Sequence, residues 1–172
     1  DRSNNLLSYR DAASGDVRGF EVDIAHEIAR DIFGDPNKVD FRFVESSDRT
    51  AALDNGTVDI IVRTMTISPE RERDVAFSIP YMNTQTRMLV LTNSGIRSVK
   101  DAAGKTLCGV GASTALDTIR EHAPKSDLLV TRSWGDCLMA LQLNQADGIV
   151  VDDALLSGMA AQDSYTSIVG EP

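Results

Sequence analysis

Residues 59–81, DIIVRTMTISPERERDVAFSIPY, restrict the possible folds more than any other part of the chain. Residues 59–63 form a short β-branched run and read as a buried strand. The run ends in Thr64-Met65-Thr66, a polar rim. Ser68-Pro69-Glu70-Arg71 then reads as the start of a helix. Ser68 takes the N-cap and Pro69 the first helical position, where its missing N–H costs nothing. A strand end that feeds a helix N-terminus offers backbone N–H groups to an anion. Arg71 falls in that first turn, where the helix dipole disfavours a cation. Two readings of Arg71 stand side by side. Its guanidinium is placed to fork a bound carboxylate, or it is a solvated arginine on a charged helix, as the run Glu70-Arg71-Glu72-Arg73-Asp74 suggests.

The rest of the chain reads as an α/β alternation. Leu6, Leu7 and Tyr9 begin a strand, and Ser14-Gly15-Asp16 is a turn. Phe20, Ile24, Ile28 and Ile32 form the apolar stripe of a helix that Gly34 ends and Pro36 forbids to continue. Val39, Phe41 and Phe43 alternate with Asp40 and Arg42, the pattern of a half-buried strand. Ser46-Ser47 opens a short helix through Leu53, closed by Gly56. Phe77-Ser78 is a short strand broken at Pro80, and residues 87–92 are a strong strand with no partner nearby in sequence. Ser98 caps a short helix that Gly104 stops. Residues 106–110 are a strand carrying Cys108, and Gly111-Ala112-Ser113-Thr114 is a glycine-led turn into a helix over 115–122. After a strand at 128–130, Ser133 and Asp136 are spaced as a capping box for a helix over 134–143 that carries Cys137. Residues 149–151 are a strand ending at Asp152-Asp153, followed by a helix over 154–162. His26 and His122 read as solvated, and the methionines as core filler.

One internal repeat is visible. Ala52-Leu53, Gly56, Asp59, Ile61 and Val62 align without gaps with Ala140-Leu141, Asn144, Asp147, Ile149 and Val150. Each copy is a helix, a turn residue tolerant of positive φ, an Asp and a buried strand. The alignment sets Thr64 opposite Asp152. Two similar α/β lobes would present equivalent strand ends, and open α/β sheets bind ligands at such carboxyl ends. A chance match of two ordinary helix–turn–strand units is the competing reading.

The net charge of -9 argues against a nucleic-acid or anionic-membrane surface, and no apolar run approaches a bilayer span. Neither a signal peptide nor a lipidated N-terminal Cys is visible, so an exported protein would be represented by a mature or trimmed chain. Two cysteines, by count alone, read more readily as free thiols than as a bridge, and neither has metal-site spacing. No Ser/His/Asp spacing, phosphate loop or metal cluster points to an enzyme or a cofactor.

Thr64-x-Thr66-Ile67-Ser68-x-Glu70-Arg71, with Phe77-Ser78 and Pro80-Tyr81, resembles the extracellular solute-binding protein family 3, over nearly the whole chain. The resemblance is strongest to actinobacterial glutamate- and glutamine-binding lipoproteins. It implies an α/β fold of two lobes, the periplasmic-binding-protein type 2 fold, joined by hinge strands, with lobe one over residues 1–85 and lobe two over 88–170. It also implies that lobe one lacks an opening strand and closing elements. The expected ligand is a free polar L-amino acid. The expected partner is an ABC permease or a membrane sensor, with no nucleic acid, no cofactor and no metal. The expected protein is a monomer outside the cytoplasm, in the periplasm or on the outer face of the plasma membrane, and held to the membrane only through a lipid anchor absent from these residues. A Cys108–Cys137 bridge is implied in the same way.

An amino acid carries an anion and a cation on one carbon. The resemblance assigns its carboxylate to Arg71 and the Thr66 N–H, its ammonium to Asp152 and the Thr64 carbonyl, and further donors to Ser113 and Thr114. Ser46 is a further ligand-binding candidate. Asp152 for the ligand and Asp153 for the helix cap is the favoured division, and a pure capping role for either is the alternative. Arg63 departs from the family's small residue. It is set to reach a side-chain carboxylate, which favours glutamate or aspartate over glutamine or asparagine, or else it lies on the surface or pairs with Asp48. Tyr9 and Leu7 lie near where the family packs an aromatic on the ligand. Two other functions compete: a dehydratase on the same fold, for which Glu45 is the one candidate acid, and a sensor domain of a larger receptor.

Overall fold

The computed structural model describes residues 3–170. The chain divides into two compact units, Asp1–Asn83 and Thr84–Pro172.

In the first unit, β1 (Ser3–Asn4), β2 (Ser8–Arg10) and β3 (Val17–Arg18) form an antiparallel meander in that order. The turn between β2 and β3 is held by Asp11, whose Oδ1 accepts from the N–H groups of Ala13 and Ser14. The helix α1 (Phe20–Phe33) follows. Gly19 precedes it at φ 127, and a Cβ there would lie 2.3 Å from the Leu7 carbonyl oxygen. Only glycine lets the Leu6–Leu7 loop close onto the helix start, where the Phe20 and Glu21 N–H groups donate to the Leu6 and Leu7 carbonyls. Gly34, left-handed at φ 72, ends the helix as its sequence position predicts.

The stripe expected on α1 is not its buried face. Glu21, Val22 and Ala29 are buried, whereas Phe20 and Ile32 are exposed. Ile28 and Ile32 instead line a cavity of about 550 Å³, together with residues 38–44 and 57–63. Those two segments are the strands expected at 39–43 and 59–63. Neither joins a ladder among the described residues, and nor does Phe77-Ser78. The pattern for a sheet is present, but a strand needs a hydrogen-bonded neighbour, and both segments face the cavity instead. The helix expected after Ser68 is also shorter, a single 3-10 turn at Arg71–Arg73, although the Ser68 hydroxyl does accept from the Arg71 N–H at 3.3 Å. A 3-10 turn at Ser46–Asp48 leads into α2 (Arg49–Asp54). His26 is not simply solvated, since its Nδ1 lies 2.6 Å from the Pro36 carbonyl oxygen and its ring meets Phe41 edge-on.

The second unit contains β4 (Thr86–Leu91), β5 (Thr106–Val110), β6 (Asp127–Thr131), β7 (Gly148–Asp152) and β8 (Thr166–Val169) in one sheet. The strand order is β6-β5-β7-β4-β8. β5 runs parallel to β6 and β7, and β4 runs antiparallel to β7 and β8, which supplies the distant partners that residues 87–92 required. The helices are α3 (Ala115–His122), α4 (Trp134–Gln142) and α5 (Asp153–Ala160). Leu89, Leu107, Leu141, Ile149 and Leu156 are fully buried. Ser133 and Asp136 form the expected capping box on α4. Cys108 in β5 and Cys137 in α4 are bridged, with Cα atoms 5.7 Å apart. Met88 and Met159 are core residues, but Met139 is exposed.

The repeat has a backbone counterpart. The Asn55 and Leu143 N–H groups donate to Ala51 and Met139, Gly56 and Asn144 to Leu53 and Leu141, and Val58 and Ala146 to Ala52 and Ala140. Gly56 and Asn144 both take positive φ, 69 and 55. The copies part in the turn, where the Gln145 N–H donates to the Ala140 carbonyl but the Thr57 N–H to the Asn55 side chain, and at the strand, which is paired in β7 while 59–63 joins no ladder among the described residues.

Candidate functional site

In the first unit the rim after residue 63 is tied down from beneath. Thr64 sits at φ 39, an uncommon backbone for a β-branched residue. Its N–H donates to Glu21 Oε1 and, at 3.2 Å, to the Tyr81 hydroxyl oxygen. Tyr81 donates in turn to Glu21 Oε1 at 3.0 Å, and the Ser8 hydroxyl donates to Glu21 Oε2 at 3.3 Å. Glu21 is only 2% exposed. Burial first, and then the neighbouring Glu21 charge, raise the Tyr81 phenol above its ordinary pKa.

Arg49 and Arg63 feel the charge of this carboxylate, and Arg49 also feels that of Arg71. Arg71 Nη1 donates to the Thr66 carbonyl at 2.9 Å. Arg63 Nη1 donates to Ser46 Oγ at 2.6 Å. Arg49 Nε donates to the Ser46 carbonyl at 3.0 Å, and its Nη1 reaches the Arg63 carbonyl at 3.5 Å. Arg49 and Arg63 are 5% and 6% exposed. Burial, followed by repulsion from Arg71 and Arg63, lowers the Arg49 guanidinium to a pKa of about 10. Burial also lowers Arg63, against the opposing pull of Glu45 and Glu21.

The first unit thus brings Thr66 to Arg71 and Ser46 to Arg63, with Thr64 held by Glu21. Glu45 precedes the 3-10 turn at Ser46–Asp48 and is exposed. Among the described residues, no group of three or more His, Cys, Asp or Glu is placed to hold a metal ion.

The second unit carries Ser113, Thr114 and Asp152. β5 and β7 are parallel neighbours with Leu107 opposite Gly148 and Cys108 opposite Ile149. Continuing that register brings the turn at Gly111 level with Asp152, so both leave the sheet at its carboxyl edge. Ala112 in that turn has φ 58. The Ser113 hydroxyl donates to the Val110 carbonyl at 2.6 Å, and Thr114 stands at the start of α3 without a side-chain capping bond. The division expected for the two aspartates differs. Asp152 holds the N-cap position of α5 and its side chain makes no capping bond, while Asp153 lies inside the helix and its Oδ1 accepts from the Gln85 N–H at 3.4 Å.

Arg49, Glu21 and Tyr81 were not among the sequence candidates. Arg49 opens α2 and so carries the clue that singled out Arg71, a cation in a first helical turn. An acidic residue near a helix start is ordinary, so nothing local marks Glu21 as buried.

A model of the bacterial extracellular solute-binding proteins, family 3, matches residues 1–142. The chain is 38% identical over 168 residues to the ABC transporter glutamine-binding protein of Bacillus subtilis strain 168, covering 97% of this chain and 62% of that protein. It is 31% identical over 152 residues to the glutamate-binding protein of Corynebacterium efficiens, covering 85% of this chain and 52% of the relative. A solved structure of the solute receptor for L-cysteine of Neisseria gonorrhoeae matches with a TM-score of 0.91 at 28% identity, covering 98% of this chain and 69% of that one. The chain therefore spans less than two thirds of the length of the curated glutamine-binding proteins it matches.

Proposed function

The chain belongs to the bacterial extracellular solute-binding proteins, family 3, and from that premise we propose that it binds a free acidic amino acid, glutamate or aspartate in preference to glutamine or asparagine. Its fold is the two-lobed α/β fold with hinge strands of the type 2 periplasmic binding proteins. Family and fold are those of non-catalytic solute-binding proteins, and the location is extracytoplasmic.

The observation that carries the proposal is the arginine cluster. Arg71 and Arg63 both act on the buried Arg49 as like charges. Such a group is relieved by an anion, and a dicarboxylate brings two. In this reading Arg71 and the Thr66 N–H take the α-carboxylate. Arg49 joins Arg63 and Ser46 in taking the side-chain carboxylate. Asp152 and the Thr64 carbonyl take the ammonium, with Ser113 and Thr114 as further donors. Relatives that are named as binding glutamine, glutamate or glutamate and aspartate agree with a polar amino acid as ligand. An ABC permease, or a membrane sensor of amino acids, is the proposed partner. The unpaired segments 39–43 and 59–63 and their cavity support the further reading that lobe one takes additional strands from elsewhere in the protein.

Calorimetric titration with glutamate, aspartate, glutamine and asparagine tests the assignment. Charge-assisted hydrogen bonds are roughly twice as strong as neutral ones, so each acid should bind about one to two decades more tightly than its amide. Equal or tighter binding of glutamine refutes the acidic preference.

A further inference from the structure

We propose that Glu21 is a positioning residue that holds Thr64 in the backbone conformation needed to receive the ligand's ammonium group, an inference that rests on the amino-acid-binding reading above. Glu21 lies in the first turn of α1, where the helix dipole favours a carboxylate. It is 2% exposed and accepts hydrogen bonds from three places far apart in sequence: the Ser8 hydroxyl, the Thr64 N–H and the Tyr81 hydroxyl. Its charge is matched by Arg49 and Arg63, both of which it favours in their protonated form.

Thr64 is the point of leverage. A threonine at φ 39 is held there against its own steric preference. Both acceptors of its N–H belong to this network, Glu21 Oε1 and the Tyr81 oxygen. The backbone torsions at Thr64 set the direction of its carbonyl, the group assigned to the ammonium. Release of the N–H frees the residue to return to a favoured region and swings that carbonyl away. The arginines assigned to the carboxylates also bond to Ser46, Thr66 and the Arg63 carbonyl, so a comparison of ligands with and without an ammonium isolates the Thr64 end.

The separation of the two ends gives the test. L-glutamate and glutarate share both carboxylates, but glutarate lacks the ammonium. Titration of each into the wild type and into Glu21→Ala should show the glutamate-to-glutarate affinity ratio falling by about tenfold or more, since any effect of Glu21 on the arginines is common to both ligands. Glu21→Gln keeps an oxygen for Thr64 and Tyr81 and offers its amide to the Ser8 hydroxyl, so it should recover most of the lost discrimination. Tyr81→Phe removes one of the two acceptors of the Thr64 N–H, and should reduce the glutamate-to-glutarate ratio by about threefold. A merely structural Glu21 would weaken both ligands alike and lower the melting temperature, and that result overturns the proposal. Should Glu21→Ala fail to fold, an unchanged ratio in Tyr81→Phe overturns it. If the wild type binds no amino acid, the functional reading fails and this inference with it. If the wild type binds but the ratio is indifferent to Glu21, this inference alone is lost.

Discussion

Replacement of Arg49 by methionine should stabilise the ligand-free protein and weaken its grip on glutamate. The Arg49 guanidinium is held at a pKa of about 10, well below its ordinary value, chiefly by burial. A lowered pKa for a base means that the folded state disfavours the proton. The cost is fully present below pH 10, and stability rises as the pH climbs from about 10 towards the ordinary arginine range, where the unfolded chain binds the extra proton. A shift of that size corresponds to about 3 kcal/mol at neutral pH. Contacts of Arg49 offset part of it, among them its bonds to the carbonyls of Ser46 and Arg63 at 3.0 and 3.5 Å, a hydrogen bond contributing about 1 kcal/mol. Methionine fills similar volume without charge. Arg49→Met should therefore be more stable than wild type in urea titration at pH 7 without ligand, with the difference shrinking above pH 10. Glutamate affinity should fall by about 1.5–3 kcal/mol, the range for a hydrogen bond to a charged group. A variant that is less stable than wild type and still prefers glutamate would refute both the sign of the Arg49 charge effect and its assignment to the ligand.

Three further outcomes are expected. Arg71→Lys replaces a planar fork by a point charge and should weaken binding of every amino acid tested by about 2–5 kcal/mol in calorimetry; unchanged affinity removes Arg71 from the site. Reduction of the Cys108–Cys137 bridge, which spans 29 residues, should lower the stability of the second unit by about 3–4 kcal/mol in the chain-entropy model, read as an earlier urea midpoint with reductant; coincident curves would show that the bridge constrains nothing. Amide hydrogen exchange at 39–43 and 59–63 should be fast in the 172-residue chain and, if the additional-strand reading holds, at least about a hundredfold slower in any longer form of the protein that supplies a neighbour strand, because pairing protects such segments. Equal protection in both forms sinks the additional-strand reading.

What could be read from the sequence was whatever is decided by neighbours along the chain. The Ser133/Asp136 capping box, the glycine stop at Gly34 and the positive-φ turns at Gly56 and Asn144 all follow from three or four adjacent residues. The same holds for the helix–turn halves of the repeat, which share three equivalent backbone hydrogen bonds. Residues 87–92 announced a strand but not its partners, which come from β7 and β8 more than sixty residues away. Residues 59–63 carry an equally good strand signal and remain unpaired. Periodicity reports that a segment suits a pleated, half-buried surface, not that a neighbour is there to complete it. On α1 the stripe at spacing four was real, but which face is covered depends on what packs against it. Half of that stripe looks into the cavity instead.

The case for Arg71 changes its footing for the same reason. In the sequence it rested on a helix dipole at residues 68–71, yet the structure gives that stretch only a three-residue 3-10 turn. So short a turn aligns few peptide units and carries little of the dipole that would disfavour a cation or favour an anion. What makes the locality suited to an anion is instead the company Arg71 keeps. Its charge reaches Arg49, which in turn lies against Arg63, and burial lowers both of those guanidinium pKa values. Mutual repulsion inside a partly desolvated region grows with each added cation, so a bound carboxylate gains more there than at any single arginine on a surface. That field comes from residues 49, 63 and 71 acting together. No window of sequence short enough to be read for local pattern contains all three.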